Sequence, residues 1–233
     1  EFQRYSNVIL VNDNYRNLPQ ILKNNNLPKA NGLLLDLGFS SEQIESRGRG
    51  FSFNPPAGGE PLLMTYSDEL EPLGHWLKRV DFEKLRSVIS EFGEERYAHK
   101  IAKAIFANKS AIHNTGELAE IIKKAVPKSY ERGRIHPATR TFQAFRIFLN
   151  QELENLESLL NSLAEILQPE GRIAIIAFHS LEDRIVKRTF QELFQKGRLK
   201  IITKKPIRPG EEEIKINPRA RSAKLRAAIY DNN

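Results

Sequence analysis

Short apolar runs bounded by polar residues recur along the chain and predict buried β-strands. Three of them are clear, at residues 7–11 (NVILV), 32–35 (GLLL) and 173–178 (IAIIAF). Two further strands are predicted near the C-terminus, at residues 199–203 and 224–230. We expect the strands to be buried on both faces, because their apolar residues are continuous rather than alternating.

The middle of the chain, residues 68–130, lacks this strand pattern and has the periodicity of amphipathic helices. Asp81 is the predicted N-cap of a first helix, and Gly93 is predicted to be its C-terminal glycine. A second helix follows it. Thr115 is the predicted N-cap of a third helix, which Pro127 ends.

From Thr139 to Leu167 apolar residues repeat every three or four positions, which predicts one long helix. The segment 169–171 is predicted to end it, and another helix is predicted at 182–194. Residues 17–26 are predicted to be a poor helix at best, because Pro19 and the run of three asparagines at 24–26 interrupt them.

Strands that alternate with helices, interrupted by one all-helical block, indicate an α/β fold with an inserted domain. We expect a parallel-rich sheet. The predicted division assigns residues 1–66 and 137–233 to the two parts of the sheet core and residues 67–136 to the helical insert.

Composition narrows the class of protein. The 233 residues are 40% hydrophobic, which is enough for a sizeable core. The absence of cysteine excludes disulfides, cysteine-based zinc sites and thiol nucleophiles, and it fits a reducing compartment. No apolar run approaches the roughly 20 residues of a membrane span. We therefore expect a soluble, cytoplasmic protein without a membrane partner.

Charge points to a polyanionic partner. The formal net charge is +7, and residues 203–226 carry eight lysines and arginines against three glutamates. The alternative interpretation of this stretch is a solvated tail beside a sheet edge. Arg140 and Arg146, six residues apart on the predicted long helix, point in different directions, so we expect one to reach the cleft or a phosphate and the other to form a surface ion pair.

Two polar residues directly follow predicted strands, where α/β sheets bind ligands. Asp36, together with Gln43, can hydrogen-bond the amino, carboxylate or ribose groups of a nucleoside-like cofactor; alternatively Asp36 only caps a turn. After the later strand, Ser180 is predicted to cap the next helix while His179 and Arg184 face the cleft. The alternative for His179 is a hydrogen-bonded residue of the turn.

Other chemistry has little support. The five histidines are dispersed, and none occurs in an H-E-x-x-H spacing, so no metal site is predicted. A serine hydrolase is disfavoured because Ser180 directly follows His179 instead of lying in a G-x-S-x-G turn.

Four longer motifs carry a family resemblance. The chain reads LLLDLGFSS at 33–41, HPATRTFQAFRIFLNQEL at 136–153, FHSLEDRIVKR at 178–188 and NPRARSAKLR at 217–226. These runs are similar to those of the bacterial RsmH family, also called MraW. The resemblance implies a class I methyltransferase with a Rossmann-like sheet and an inserted helical domain. It also implies S-adenosylmethionine as cofactor and methylation of a cytosine N4 amine in the decoding region of 16S rRNA, within the small ribosomal subunit.

The resemblance also implies site residues. By position, Tyr15, Asp36 and Gln43 match the family's S-adenosylmethionine contacts, and Asp36 and His179 are the catalytic candidates. Resemblance and charge together predict RNA contacts at Arg140, Arg184, Arg219, Arg221 and Lys224.

Two departures from the family pattern are evident. The family's glycine-rich loop and first two strands are expected before Glu1, so we expect this chain alone to bind S-adenosylmethionine weakly or not at all. Residues 61–67 read PLLMTYS where the family has PLDMRMD, so Leu63 and Ser67 replace carboxylates and Asp68 lies beside them. The alternatives are a noncatalytic RNA-binding protein without a cofactor site, and a structural protein that uses the helical insert for partner contacts.

Overall fold

The protein divides into two compact units, each considered by itself below. The computed structural model describes residues 7–38, 48–52, 59–133 and 135–231. The first unit, here called the sheet unit, comprises Glu1–Gly38 and Leu153–Asn233. The second, the helical unit, is Phe39–Glu152, which is wider at both ends than the predicted insert at 67–136. The three-part division drawn from the sequence stays a prediction.

Helices and strands follow one another as in an α/β protein, which confirms the predicted class. In the described residues the strands are β1 (Ala30–Asp36), β2 (Leu167–Ala177), β3 (Leu199–Ile201) and β4 (Lys224–Tyr230). The α-helices are α1 (Leu18–Asn24), α2 (Leu73–Arg79), α3 (Phe82–Gly93), α4 (Ala98–Asn108), α5 (Thr115–Ala125), α6 (Thr139–Leu149), α7 (Glu152–Asn161), α8 (Leu163–Ile166), α9 (Ser180–Gln195) and α10 (Glu211–Ile216). Short 3-10 helices lie at Tyr15–Asn17, Lys109–Ala111, Tyr130–Gly133 and Pro218–Ser222.

The sheet of the sheet unit is mixed. Among the described strands the order is β1-β2-β4-β3. The β1–β2 pair is parallel, whereas β4 runs antiparallel to both β2 and β3. The expectation of a parallel-rich sheet is therefore wrong for the described residues, because the chain returns through β4 in the opposite direction.

One predicted strand does not form. Residues 7–11 lack regular structure, and Ile9 and Leu10 are 55% and 61% exposed. A strand needs a neighbour for its backbone hydrogen bonds, and β1 pairs only with β2 among the described strands. By contrast, α1 forms in the segment expected to be a poor helix. Pro19 lies in its first turn, where the missing N–H costs little, and Leu18 and Leu22 pack against the core.

The core of the sheet unit covers one face of the sheet. Along β2, Ile173, Ile175 and Ala177 are buried, while the alternating residues Ala174 and Ile176 are only partly buried. Leu34 of β1 is 68% exposed. Burial on both faces was thus wrong for these strands. The covered face packs against apolar residues of α7, α8 and α9.

The predicted long helix from Thr139 to Leu167 is divided into α6, α7 and α8. The first break is at Asn150, whose side-chain amide donates to the carbonyls of Met64 (2.9 Å) and Arg146 (2.8 Å). Gln151 then takes a left-handed backbone conformation with φ 52°. The predicted helix also extends too far at its C-terminal end, because residues 167–170 belong to β2.

The helical unit is a cluster of α-helices with its own apolar core. Asp81 caps α3 by accepting a 2.7 Å hydrogen bond from the Lys84 amide, as predicted. The cap of α5 is Asn114, which accepts from the Glu117 amide at 2.9 Å. Thr115, the predicted cap, is buried one residue later, and its hydroxyl accepts a hydrogen bond from the Glu60 amide.

Candidate functional site

The sheet unit brings three chain segments together at one edge of its sheet. In the strand register, Asp36 at the end of β1 is opposite Ile176, and Ile176 is opposite Leu225. Ala177, at the end of β2, is opposite Lys224, the first residue of β4. Neighbouring strands lie about 4.8 Å apart, so the Cα atoms of Asp36 and Leu225 are separated by roughly 10 Å. This edge is where ligands bind in open α/β sheets.

Asp36 is the exposed carboxylate of this edge. The next residue, Leu37, continues the ladder by donating its N–H to the Ile176 carbonyl at 3.0 Å, and its side chain is buried. Gly38 follows with φ 98°, and a Cβ there would lie 3.5 Å from the Phe178 ring. The backbone around Asp36 is therefore fixed by the sheet, while the carboxylate points away from the buried side.

His179 is the N-cap of α9, one residue earlier than the predicted Ser180 cap. Its Nδ1 accepts from the Glu182 amide at 3.4 Å, and the Glu182 carboxylate accepts from the amides of Phe178 (2.8 Å) and His179 (3.3 Å). His179 Nε2 lies 3.3 Å from Glu182 Oε1, and the His179 side chain is 8% exposed. This reciprocal capping box fixes the imidazole in the strand-to-helix turn.

Asp183, in the first turn of α9, binds two basic residues of β4. Its carboxylate accepts from Arg226 Nε at 2.7 Å and from Lys224 Nζ at 3.3 Å. All three side chains are at least 80% buried. Burial raises the pKa of Asp183, but the Arg226 hydrogen bond and the charges of Arg226 and Lys224 outweigh this and leave the pKa below its ordinary value. This cluster was not predicted from the sequence, although the motifs FHSLEDR and SAKLR contain its members.

Of the two other predicted cofactor contacts, Tyr15 and Gln43, only Tyr15 lies within the described residues. Tyr15 begins a 3-10 helix, and its half-buried ring packs against the core of the sheet unit. Gln43 lies outside the described residues. The Asn14 side chain caps the short helix at Tyr15 by accepting a 3.0 Å hydrogen bond from the Arg16 amide.

The predicted RNA contacts fall into different settings. Arg219 and Arg221 are exposed on the 3-10 helix directly before β4, and Arg184 is exposed on α9. Lys224 lies in the Asp183 cluster and is largely buried. Arg140 belongs to the helical unit, where its Nη1 donates to the Glu94 carbonyl at the end of α3 (2.9 Å). The sheet unit thus gathers four of the five.

A second buried polar network, in the helical unit, was not predicted as such. Glu152 accepts from Arg146 through both carboxylate oxygens (2.8 and 3.0 Å) and from the Tyr66 hydroxyl (2.8 Å). Asn150 accepts from the Tyr66 amide at 2.7 Å. Of the two arginines expected to differ in role, Arg146 is therefore the one that forms an ion pair, but this pair is largely buried and not on the surface as predicted. The network holds the loop that contains Met64, which has φ 56° and is 1% exposed.

Ser67 and Asp68, in the loop that departs from the family pattern, form local hydrogen bonds. The Ser67 hydroxyl accepts from the Glu69 amide at 3.2 Å. Asp68 accepts from both terminal nitrogens of Arg49, at 3.0 and 2.9 Å. Asp68 is therefore engaged by an arginine rather than standing free in place of the family's carboxylates.

None of the helices in the part of the chain described above is long and apolar enough to cross a membrane.

Comparison with known proteins gives one consistent result. The model of the MraW methylase family matches residues 1–230. A protein of Thermosipho melanesiensis is 49% identical over 228 residues, which cover 96% of this chain and 75% of that protein. One of Halothermothrix orenii is 43% identical, with 97% and 78% covered. Both are named ribosomal RNA small subunit methyltransferase H. With this match and the site at the sheet edge, the chain belongs to the MraW methylase family of class I methyltransferases.

Proposed function

We propose that this protein methylates the exocyclic N4 amine of a cytosine in the decoding region of 16S rRNA, with S-adenosylmethionine as methyl donor. The names of its relatives support small-subunit rRNA as the substrate. The observation that carries the proposal is the sheet edge, where the exposed Asp36 carboxylate and the arginine-bearing turn before β4 occupy one end of the same sheet. A ribosomal substrate implies a cytoplasmic location.

The described residues fit part of an S-adenosylmethionine site. The exposed Asp36 carboxylate is a hydrogen-bond acceptor suited to an amino or hydroxyl group, and the backbone beside it is held by the ladder to β2. The half-buried ring of Tyr15 offers an apolar surface in the same unit. When bound, S-adenosylmethionine supplies an electrophilic methyl group.

Cytosine N4 is a weak nucleophile because its lone pair is delocalised into the ring. Positioning and electrostatics must therefore supply most of the acceleration. We assign to Asp36 the acceptance of a hydrogen bond from the target amine or from the cofactor's amino group. His179 is the second candidate. Because its ring is held in the capping box with Glu182, we propose that it acts mainly by fixing the first turn of α9.

For RNA binding we propose that Arg219, Arg221 and Arg184 contact phosphates, since all three are exposed in the sheet unit. Lys224 contributes less, because its side chain is largely buried and its ammonium group already binds Asp183. Arg140 is proposed as a contact of the helical unit, oriented by its bond to the Glu94 carbonyl.

Nucleoside mass spectrometry of small subunits from cells with and without the gene tests this function. We expect loss of the gene to remove one N4 methyl from cytosine in the decoding region. We also expect assembled or nearly assembled subunits to be better substrates than free oligonucleotides, because the target base must be unstacked in a shaped site. A change confined to cytosine C5, to a ribose or to tRNA would refute the proposal.

The alternative, a noncatalytic RNA-binding protein, makes a different prediction. Such a protein would bind rRNA but would show no saturable binding of radiolabelled S-adenosylmethionine. Saturable binding by the complete gene product would exclude this alternative.

A further inference from the structure

Helix α4 has a strongly basic outer surface that the proposed site does not use. Its inward side buries Ala98, Ile101, Ala102 and Ile105. Lys100 and Lys103 are both exposed on this outer side. Residues 96–112 contain four lysines and arginines and no aspartate or glutamate.

An aromatic ring organises these cations. The Arg96 guanidinium lies over the Tyr97 ring, 4.9 Å from its centroid, and Lys100 Nζ lies 5.9 Å from the same centroid. Contact with the ring restricts the side chains of both residues. Cations that are ordered before binding lose less conformational entropy when they meet an anion. We call Arg96, Tyr97, Lys100 and Lys103 the α4 cationic surface.

Nearby carboxylates are engaged elsewhere. Glu95 is 3% exposed and accepts hydrogen bonds from the Tyr97 amide (2.8 Å) and the Tyr130 hydroxyl. On the two helices that pack against α4, Glu83 pairs with Arg86 and Glu120 pairs with Lys123. Within the described ranges no ion pair involves Lys100 or Lys103. The positive charges of Lys100 and Lys103 are therefore not neutralised by an ion pair among the described residues.

We propose that the α4 cationic surface binds the phosphate backbone of single-stranded or irregular small-subunit rRNA. This inference rests on the proposed function and adds a further contact region to those already proposed, the arginines of the sheet unit and Arg140 of the helical unit. Charge complementarity is the basis for choosing rRNA, because closely spaced exposed cations suit a chain of phosphates. On the same helix the ring of Phe106 is exposed, with Lys109 Nζ 4.3 Å from its centroid, and an exposed ring beside cations favours unpaired nucleotides, whose bases are free to stack.

The test compares two double variants of the complete gene product that remove the same charge from the same unit. Lys100→Gln/Lys103→Gln removes two cations that have no ion pair among the described residues. The control, Arg79→Gln/Arg86→Gln, removes two exposed arginines that are each paired with a glutamate. Affinity for a decoding-region rRNA fragment is measured between about 50 and 200 mM salt, a range over which phosphate contacts change binding strongly.

We expect the lysine pair to lower the slope of log affinity against log salt by up to about 1.4, which is about 0.7 for each lost contact with single-stranded RNA. The control slope should stay close to that of the unaltered protein. Equal slopes for both variants would overturn the proposal. So would unchanged rRNA binding by the lysine variant together with lost binding to vesicles of anionic lipid, which would assign the surface to membranes.

Failure of this inference is distinguishable from failure of the proposed function. If N4-methylcytosine is still formed in cells but the two variants bind rRNA alike, only the α4 surface is wrongly assigned. If the methyl is not formed at all, the proposed function fails whatever the salt slopes are.

Discussion

Two aspartates near the same sheet edge differ in availability. Asp36 is exposed at the end of β1, whereas Asp183 is enclosed by Arg226 and Lys224. An exposed carboxylate keeps its acceptor capacity for a ligand, while an enclosed one has its capacity used by the fold. We therefore assign ligand binding to Asp36 and structural support of α9 and β4 to Asp183.

Replacing Asp36 with Asn should weaken S-adenosylmethionine binding by the complete gene product about tenfold or more, because a hydrogen bond to a charged acceptor contributes about 1.5–3 kcal/mol. Affinity for rRNA should change less. Calorimetry for the cofactor and anisotropy for RNA measure the two. Glu192→Gln is the control, since it neutralises an exposed carboxylate of α9 roughly 18 Å from the start of that helix. Equal losses of cofactor and RNA affinity in the Asp36 variant would contradict the assignment.

Replacing Asp183 with Asn should lower the free energy of unfolding by about 2 kcal/mol at pH 7, because Arg226 and Lys224 lose their buried counter-charge. The pKa of Asp183 is lowered in the folded state, so its contribution is present above the unfolded pKa of about 3.9 and is lost as pH falls through the folded value. Urea unfolding from pH 7 to pH 3 should show the two proteins converging. Glu120→Gln, in an exposed pair, should cost less than about 1 kcal/mol. A gap that stayed constant with pH would argue against the ion pair as its cause.

At the scale of elements, close packing of helices explains a glycine that the sequence suggested was a cap. Gly93 is the last residue of α3, and the left-handed position belongs to Glu94, with φ 46°. A Cβ on Gly93 would lie 2.7 Å from the Arg140 carbonyl of α6 and 3.3 Å from the Ala144 Cβ. The glycine is thus needed for the approach of two helices rather than for the turn after α3.

Gly93→Ala should therefore destabilise the protein by about 1–3 kcal/mol, the usual cost of overpacking, even though alanine is the better helix former. The matched control is Gly74→Ala in α2, where the new Cβ would meet Leu62 at an ordinary 3.5 Å. That variant should be neutral or more stable by up to about 1 kcal/mol. Thermal unfolding of both variants measures the difference, and a stabilised Gly93 variant would show that α3 and α6 have room to separate.

At the scale of the whole molecule, the net charge of +7 is unevenly available for binding. Arg226 and Lys224 are largely buried and share the carboxylate of Asp183, and Arg146 is paired with Glu152. Arg219 and Arg221 remain exposed on their turn. Counting basic residues along the C-terminal stretch therefore overstates its capacity for RNA.

Replacing both Arg219 and Arg221 with Gln should lower the slope of log affinity for rRNA against log salt by up to about 1.4. Lys224→Gln should flatten it by clearly less than the 0.7 of one full contact, since the Lys224 side chain is largely buried and bound to Asp183. Fluorescence anisotropy over a salt series provides both slopes. If Lys224 had the effect of a full phosphate contact, the Asp183 cluster would have to open on RNA binding.

The sequence by itself determined the features whose signals are local. Alternation of strands and helices established the α/β class, the Asp81 cap marked the start of α3, and the motifs around Asp36 and His179 indicated the family and the sheet edge. Periodicity and capping act within a few residues, so the chain carries them wherever it folds.

Only the tertiary structure decided features that depend on distant partners. Residues 7–11 have a strand pattern but no neighbouring strand among the described residues, and the helix after Thr139 stops at Asn150 because its side chain binds the Met64 carbonyl 86 residues away. The N-cap of α9 is His179 and not Ser180, because His179 forms reciprocal hydrogen bonds with Glu182. Lys224 is largely buried instead of exposed because its ammonium group binds Asp183. A local pattern states what a segment is able to do, but the free energy of burying and pairing its groups depends on what the fold places beside them.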